Sequence, residues 1–364
     1  MQKAFINQGL SVLTDILSDL QIKKIFFVVG NYAHPSIKTL IEPHIQGIDA
    51  EFFIVSNSNS NSNFETIVCG CEQLRQSNSD IVIAVGGGRI IDVAKLIGTA
   101  ALSTHNYESI IKGNEVITDK FLPLLVMPTT AGTGSEATSF SVVYLQEKKY
   151  SVVSEYLLPD YVIADSSLVQ KMPDYLKACT IFDAFSQAIE SFWSVDSTPS
   201  SRKNAKKSIV LINHNLQNYL NNDKKTTKHM VNAAYLSGMA INESKTTLPH
   251  ALSYFITSRY DIPHGHAVAL TLGFVGKINA SLGDDKLKQV MQNIADMLNI
   301  DVINFDQYWR DLMKISGLDV NLSKLGVKQQ DLELIVDSVN VERLKNHPLN
   351  ISKKILLKEL TKIL

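Results

Sequence analysis

The sequence of 364 residues predicts an α/β domain followed by an all-α domain. Three observations lead to this fold class. The chain is too long for one ordinary core, short apolar runs alternate with helical patterns in its first part, and apolar spacing of three and four residues dominates its second part. We expect the α/β domain to cover residues 1–165 and the helical domain to cover residues 166–364.

The first domain is predicted from four short apolar runs with the length of buried strands, at 24–29, 51–55, 80–85 and 123–127. Segments with helical spacing lie between them, at 34–43, 64–77 and 90–102. A polar low-complexity tract at 56–63 is predicted to be a surface loop. Strands that alternate with helices indicate parallel βαβ units and a sheet of the nucleotide-binding type.

The second domain is predicted from longer helical patterns, at 175–220, 227–241 and 287–298. The last residues, ISKKILLKELTKIL, have helical spacing as well. This half of the chain is therefore predicted to be an all-helical domain, and it contains no internal repeat.

The composition is that of an ordinary globular protein. Hydrophobic residues make up 45% and charged residues 20%, with a net charge of −1, which gives no electrostatic case for binding nucleic acid or an anionic membrane. No apolar run is long enough for a membrane helix, and the N-terminus lacks the pattern of a signal peptide. Cys69, Cys71 and Cys179 form no disulfide framework, so we expect free thiols and a cytoplasmic location.

Three consecutive glycines, Gly86, Gly87 and Gly88, follow one predicted strand and open a helix. Glycine backbone can approach a pyrophosphate closely, and a helix N-terminus supplies free N–H groups and partial positive charge. The segment is not the G-x-G-x-x-G fingerprint, and a tight turn without a ligand is the alternative.

A second loop of the same kind, PTTAGTGSEAT, follows the run at 123–127 and contains Thr129, Thr130 and Thr133. It offers N–H and O–H donors where α/β proteins bind ligands, at the carboxyl ends of parallel strands. A loop that needs its glycines only for packing is the alternative.

The third motif, TIFDAFSQAIESFWS at 180–194, places Asp183 and Gln187 on one face of a predicted helix. Asp183 is interpreted as a metal ligand, a helix cap or a solvated acid.

The stretch 246–272 contains His250, His264 and His266, and a proline directly precedes each of the first two. Imidazole is the commonest protein ligand for zinc and ferrous iron, and proline rigidity helps to fix a neighbouring ring. Ordinary polar histidines at a helix end and in a loop are the alternative.

Together, GGGRIID, PTTAGTGSEAT, DAFSQAIESFWS and HALSYFITSRYDIPHG resemble the iron-containing (group III) alcohol dehydrogenase family, in order and over nearly the whole chain. The resemblance implies a dehydroquinate synthase-like fold, NAD(P)H on the first domain, a divalent metal in the second, a cleft between them and a homodimer. The metal ligands that it implies are Asp183, Gln187, His250 and His264. The cofactor-binding residues that it implies are Gly86, Gly87, Gly88, Asp92, Thr129, Thr130 and Thr133.

The chain departs from the family pattern at three positions. Gln187 stands where the family usually has a histidine ligand, so the metal is expected to be Fe²⁺ or Zn²⁺ held mainly by two histidines and one aspartate. Tyr254 replaces a further active-site histidine, so His266 or a water molecule is expected to supply the proton. Gly30 replaces the acid that contacts the ribose, so NADPH is expected to be accepted.

Within the family, the stretch from Lys245 resembles the phosphonoacetaldehyde reductase branch, which makes 2-hydroxyethylphosphonate. Lys245 and Arg259 are the cations expected to hold a phosphonate substrate, and solvated surface residues are the alternative for each. Three other functions stay open: another small-alcohol or polyol dehydrogenase, a dehydroquinate synthase-type lyase or cyclase, and a non-catalytic homologue with a degraded metal site.

Overall fold

The computed structural model describes residues 2–30, 34–56, 63–101, 107–119, 122–145, 148–339 and 344–364. The chain divides into two compact units. The first comprises Met1–Thr130 with Gly134–Lys171, and the second comprises Ala131–Thr133 with Met172–Leu364. The first unit is built on a parallel sheet and the second is helical, so the predicted fold class is confirmed.

The first unit contains a six-stranded parallel sheet, a two-stranded hairpin and short helices. Its strands are β1 (Lys3–Ile6), β2 (Lys24–Gly30), β3 (Asp49–Val55), β4 (Ile81–Gly86), β5 (Leu124–Pro128), β6 (Phe140–Leu145), β7 (Lys148–Val153) and β8 (Tyr161–Ala164). Its helices are α1 (Val12–Asp19), α2 (His34–Ile41), α3 (Phe64–Ser77), α4 (Gly88–Ala100), α5 (Tyr107–Lys112) and α6 (Ser166–Val169).

The six strands follow the order β1-β8-β5-β4-β2-β3, and all of their pairings are parallel. Alternate side chains of the central strands, such as Ile25, Phe27 and Ile83, pack against Leu13 and Leu17 of α1. The intervening side chains are buried on the opposite face. Because both faces are covered, the central strands are apolar throughout, as the sequence indicated.

All four predicted strands and the three helices between them exist, with ends that shift by a few residues. The sequence did not predict β1, β8 or the antiparallel hairpin of β6 and β7. Most of the polar tract at 56–63 lies outside the described residues.

The second unit is a set of helices packed around one central helix. The helices are α7 (Asp174–Trp193), α8 (Pro199–Leu220), α9 (Lys224–Ser244), α10 (Leu248–Tyr260), α11 (His264–Leu282), α12 (Asp285–Leu298), α13 (Phe305–Ile315), α14 (Leu332–Asp337) and α15 (Lys353–Lys362). The central helix is α7, which contacts α8, α9 and α11 and is buried over most of its length. Rings of Phe182 and Phe185 pack 5.2 and 5.1 Å from the ring of Trp309 on α13. Among the described residues, no helix is both long and apolar enough to span a membrane.

Candidate metal and active site

Three side chains that could hold a metal ion meet inside the second unit. Asp183 lies in the middle of α7, His250 lies in the first turn of α10, and His264 is the first residue of α11. One ligand atom from each lies within 4.8 Å of those of the other two. His250 Nε2 is 3.4 Å from Asp183 Oδ1, a spacing that fits two donors each about 2.0–2.2 Å from one shared cation.

The position of Asp183 rules out two of the interpretations made from the sequence. The helix begins nine residues earlier, at Asp174, so Asp183 is not a helix cap. Asp183 is only 3% exposed, so it is not a solvated acid. The interpretation as a metal ligand stays a prediction, and a buried carboxylate beside His250 is compatible with it.

The local sequence explains why the two histidines lie at helix starts. Pro249 is in the first turn of α10, and Pro263 is the residue that precedes α11, both positions that favour proline. Gly265 then lets α11 approach α7 closely. A Cβ at this position would collide with the carbonyl oxygen of Cys179 and lie 2.8 Å from Cβ of Asp183.

The electrostatics of the cluster suit a cation. Burial lowers the pKa of His250, but the carboxylates of Glu190 and Asp183 outweigh it and raise the pKa to about 9. His250 Nε2 is buried and has no hydrogen-bond partner within the described part of the chain. A divalent ion would give this nitrogen a partner and balance the charge of the carboxylates, so the donor set fits the expected metal.

Glu190 is a residue of this site that sequence reasoning missed. Its side chain is fully buried, and its Oε1 contacts Nδ1 of His250. Its Oε2 accepts hydrogen bonds from the backbone N–H and the hydroxyl of Thr247, at 2.6 and 2.8 Å. The available signal was its position seven residues after Asp183, which is two turns along the same helix face.

The ring of His264 is held by two residues of α10. The hydroxyl of Ser253 donates to the carbonyl oxygen of His250 at 2.8 Å and lies 3.4 Å from Nδ1 of His264. The ring of Tyr254 stacks on His264 with 5.7 Å between ring centres and 6° between planes. Tyr254 therefore supports a candidate ligand from the position where the family pattern has a further histidine.

Gln187 is buried, and its amide group is bonded to the protein. Its Nε2 donates to the carbonyl oxygen of Thr133 at 3.2 Å, and its Oε1 accepts from Ser237 Oγ at 3.1 Å. These two bonds tie segment 131–133 to α7 and α9. They also occupy the amide that stands where the family pattern has a histidine ligand.

His266 does not join the other two histidines. Its Nε2 donates to the carbonyl oxygen of Asp319 at 2.7 Å, so its Nδ1 accepts from the hydroxyl of Tyr175 at 2.9 Å. Residues two apart on a helix point to different sides, which separates His266 from His264. Burial lowers the pKa of His266, and a smaller effect of Asp319 acts to raise it. With both nitrogens bonded to protein groups, His266 is poorly placed for the proton transfer expected of it.

The two cations proposed for the substrate occupy different places. Lys245 is an exposed residue in the short connection between α9 and α10, five residues before His250. Arg259 is exposed in the last turn of α10, nine residues after His250 and about 13 Å farther along the helix axis. The structure therefore does not bring Arg259 beside His250.

The two glycine-rich loops lie side by side at the carboxyl edge of the sheet in the first unit. Gly86 pairs with Pro128 in the sheet, and the N–H of Thr129 donates to the carbonyl oxygen of Gly86 at 3.0 Å. A side chain at Gly86 would lie 2.6 Å from Cβ of Ile90, so glycine is required where α4 turns back over β4. Gly88 begins α4, and its first N–H groups have no partner within the helix.

Asp92 is bonded to protein groups one turn inside α4. Its carboxylate accepts hydrogen bonds from the hydroxyl of Ser135 and from the N–H of Val142, and it pairs with Lys95 at 3.8 Å. Lys95 is itself fully buried and donates to Thr138 and to the carbonyl oxygen of Phe140. These contacts give Asp92 a structural role in holding the second loop.

Two family models match the chain in succession. The model of iron-containing alcohol dehydrogenases matches residues 3–166, and the C-terminal model of the Fe-containing alcohol dehydrogenase family matches residues 177–364. The chain belongs to the iron-containing alcohol dehydrogenase family. This membership confirms the predictions of an alcohol dehydrogenase, a nicotinamide cofactor and a divalent metal.

Similar proteins of the iron-containing alcohol dehydrogenase family cover nearly the whole chain. Alcohol dehydrogenase 4 of Saccharomyces cerevisiae is 29% identical over 348 residues, which are 92% of this chain and 89% of that protein. The NADPH-dependent butanol dehydrogenase of Clostridium saccharobutylicum is 27% identical over 339 residues, 89% of this chain and 86% of that protein. The crystal structure of sulfoacetaldehyde reductase from Bifidobacterium kashiwanohense in complex with NAD+ matches with a TM-score of 0.89 and 25% identity, over 100% of this chain and 98% of that one.

Proposed function

We propose that this alcohol dehydrogenase reduces a short aldehyde that carries an anionic group, and that phosphonoacetaldehyde, reduced to 2-hydroxyethylphosphonate, is its substrate. The observation that carries the proposal is the buried cluster of Asp183, His250 and His264. This cluster would provide three protein ligands for a divalent metal, which is the number that catalytic zinc sites use.

The chain's residues prepare the site for the reaction. When bound, a divalent cation polarises the substrate carbonyl and stabilises the negative charge that develops on its oxygen, and the reduced nicotinamide supplies the hydride. Asp183 and His250 are each 3% exposed, so they hold the ion away from bulk water. Since both nitrogens of His266 are bonded to the protein, we assign the last proton to water instead of to His266.

The glycine loops of the first unit are the proposed site for the cofactor pyrophosphate. Gly87 and Gly88 present the N-terminus of α4, and the half-buried side chains of Thr129 and Thr130 lie beside it. Thr133 is a further candidate contact, as the family resemblance implies. Gly30 ends β2 without a carboxylate, which supports acceptance of NADPH as well as NADH.

The phosphonate assignment has two supports. The stretch that begins at Lys245 resembles phosphonoacetaldehyde reductases, and a similar solved structure is a sulfoacetaldehyde reductase, whose substrate name is also that of a short anionic aldehyde. Lys245 is the proposed contact for the anionic group because it lies close in sequence to His250, and Arg259 is a weaker candidate. A small uncharged aldehyde is the second candidate, supported by the similar butanol dehydrogenase.

The test is a reductase assay on protein stripped of metal and reconstituted with Fe²⁺ or Zn²⁺ under argon. We expect net oxidation of NADH or NADPH with phosphonoacetaldehyde, and a kcat/KM at least tenfold higher than with acetaldehyde or butanal. His250→Ala should lower kcat/KM by at least 100-fold, because a ligand is lost. His214→Ala, which changes an exposed histidine of α8, should have little effect.

Each alternative gives a different result in this assay. Equal turnover of acetaldehyde and butanal would favour a general small-alcohol dehydrogenase. A lyase or cyclase would recycle its cofactor and show no net consumption of NADH. Metal bound well below one ion per chain, with cofactor still bound, would indicate a non-catalytic homologue and end the reductase proposal. A homodimer and a cytoplasmic location stay proposals, which rest on the family resemblance and the light use of cysteine.

A further inference from the structure

We propose that Glu190 is the positioning residue of the metal centre: it fixes His250 as a ligand through Nε2 and supplies the second negative charge that balances a divalent ion. This inference rests on the proposed metal site and adds a residue to it. Glu190 touches no proposed substrate or cofactor position, so it acts through His250.

The first argument is the orientation of the imidazole. An ionised carboxylate can only accept hydrogen bonds, so the proton between Glu190 Oε1 and His250 lies on Nδ1. Metal binding releases the other proton of the ring, so the lone pair that a metal would use is on Nε2. This is the nitrogen that faces Asp183 at 3.4 Å, which is the direction of the proposed ion.

The second argument is that Glu190 is itself held rigidly. Its other oxygen accepts from both donors of Thr247, and the hydroxyl of Thr247 also accepts from Trp193 Nε1 at 2.9 Å. Trp193 is 2% exposed and lies one turn after Glu190 on α7. The chain from Trp193 through Thr247 and Glu190 to His250 therefore links the end of α7 to the start of α10.

The third argument is charge. Glu190 is 0% exposed and Asp183 is 3% exposed, so both carboxylates lie where water cannot screen them. With neutral histidines, the two carboxylates carry a formal charge of −2. A divalent cation neutralises this pair, which makes Glu190 a contributor to metal affinity without direct coordination.

The decisive variant is Glu190→Gln, measured as metal affinity by competition with a chelating indicator. Glutamine has one acceptor oxygen, and its NH₂ group would face the N–H of Thr247 or Nδ1–H of His250. Loss of the charge and of one acceptor should weaken Fe²⁺, Zn²⁺ and Co²⁺ binding by about 10–100-fold. The visible spectrum of the Co²⁺-loaded protein should also change, because the imidazole is no longer fixed.

If Glu190→Gln does not fold, a second variant, Thr247→Val, tests the same inference. Thr247→Val preserves the charge of Glu190 and removes one of its three donors, so metal affinity should fall by about 2–10-fold. The matched control is Glu359→Gln, which removes a buried carboxylate of the same unit that pairs with Lys277 at 2.7 Å. The control should lower Tm and leave metal affinity unchanged.

Metal affinity of Glu190→Gln, or of Thr247→Val, within twofold of the wild-type value would overturn the inference while the proposed function stands. Conversely, a wild-type protein that binds metal tightly but turns over no aldehyde would refute the proposed function and leave the role of Glu190 intact. A wild-type protein that binds no metal would refute both.

Discussion

Gln187 is the residue at which the proposed centre differs most from the family pattern. It lies one turn after Asp183 on the same face of α7, where a histidine could reach the same ion. In this protein its amide instead bonds Thr133 and Ser237. If the Gln187 amide turned towards the metal, it would break both bonds and leave buried polar groups without partners, at a cost of about 1–3 kcal/mol. We therefore infer that the metal has three protein ligands.

We therefore predict that Gln187→His tightens metal binding by at least tenfold, since imidazole is a stronger ligand than a carboxamide. The lost hydrogen bonds should at the same time lower the free energy of unfolding of the metal-free protein by about 1–3 kcal/mol. Metal affinity is measured by indicator competition and stability by urea unfolding in chelator.

Gln187→Leu is the control for this prediction, because it removes the same hydrogen bonds and adds no ligand. It should leave metal affinity within about threefold of the wild-type value. If Gln187→Leu loses metal as completely as His250→Ala, Gln187 is itself a ligand and the three-ligand interpretation is wrong.

The sequence predicted the members of the metal cluster but not the residues that orient them. Asp183, His250 and His264 were found because their motifs resemble those of a family whose metal ligands occupy these positions. Glu190 could not be distinguished from an ordinary helix acid until the fold brought His250 and Thr247 onto it. His266 has the residue type of a proton donor, and only the structure shows that Tyr175 and Asp319 take both of its nitrogens.

At the scale of elements, the close packing of α7 and α11 holds the ligands together. Asp183 comes from α7 and His264 from the start of α11, and Gly265 packs directly on the α7 backbone at Cys179. The absence of a side chain at Gly265 therefore allows the two ligands to come close together.

We predict that Gly265→Ala disrupts both stability and the metal site. The new Cβ would collide with the backbone oxygen of Cys179 and lie 2.8 Å from Cβ of Asp183, and backbone cannot move aside as a flexible side chain can. We expect a loss of about 1–3 kcal/mol in the free energy of unfolding and at least tenfold weaker metal binding. Circular dichroism during urea unfolding and indicator competition measure the two effects.

Gly98→Ala in α4 provides the comparison. Its Cβ would meet Val82 at an ordinary 3.7 Å, so this change should be neutral or stabilising by up to about 1 kcal/mol. Equal behaviour of the two alanine variants would show that the contact at Gly265 does not set the helix spacing.

The elements that the sequence predicted are those with a strong local signal. The central strands are buried on both faces and form continuous apolar runs, and the helices of the second unit have regular apolar spacing. In contrast, β1 and β8 have only four residues each, and β6 alternates half-buried and buried residues beside a polar β7. Such strands depend on pairing with distant segments, which periodicity does not report.

At the scale of the whole molecule, tryptophan fluorescence is a probe of the second unit. Both tryptophans, Trp193 and Trp309, lie in that unit, so a change in their fluorescence reports its unfolding. His347 is a buried group of the same unit, and its ring meets that of Trp193 edge-on with 6.2 Å between centres. Within the described residues, neither ring nitrogen of His347 has a hydrogen-bond partner.

We predict that His347 makes the second unit sensitive to mild acid. Burial lowers its pKa from 6.5 to about 3 in the folded protein, whereas the unfolded chain titrates near 6.5. Above pH 6.5 both states are neutral and His347 has no effect on pH dependence. As the pH falls below 6.5 only the unfolded state gains the proton, so the free energy of unfolding falls, by about 1 kcal/mol over the first pH unit and by about 1.4 kcal/mol per unit after that.

The measurement is urea unfolding at pH 7.5, 6.5 and 5.5, followed by tryptophan fluorescence in chelator so that metal release does not contribute. His347→Leu should remove about 1 kcal/mol of the loss between pH 6.5 and 5.5, because leucine fills the same apolar site without titrating. His214→Leu, at an exposed position of α8, should keep the wild-type pH dependence. If His347→Leu and the wild-type protein lose stability in parallel over this range, the folded protein accepts a proton on His347, and the ring is solvated instead of buried beside Trp193.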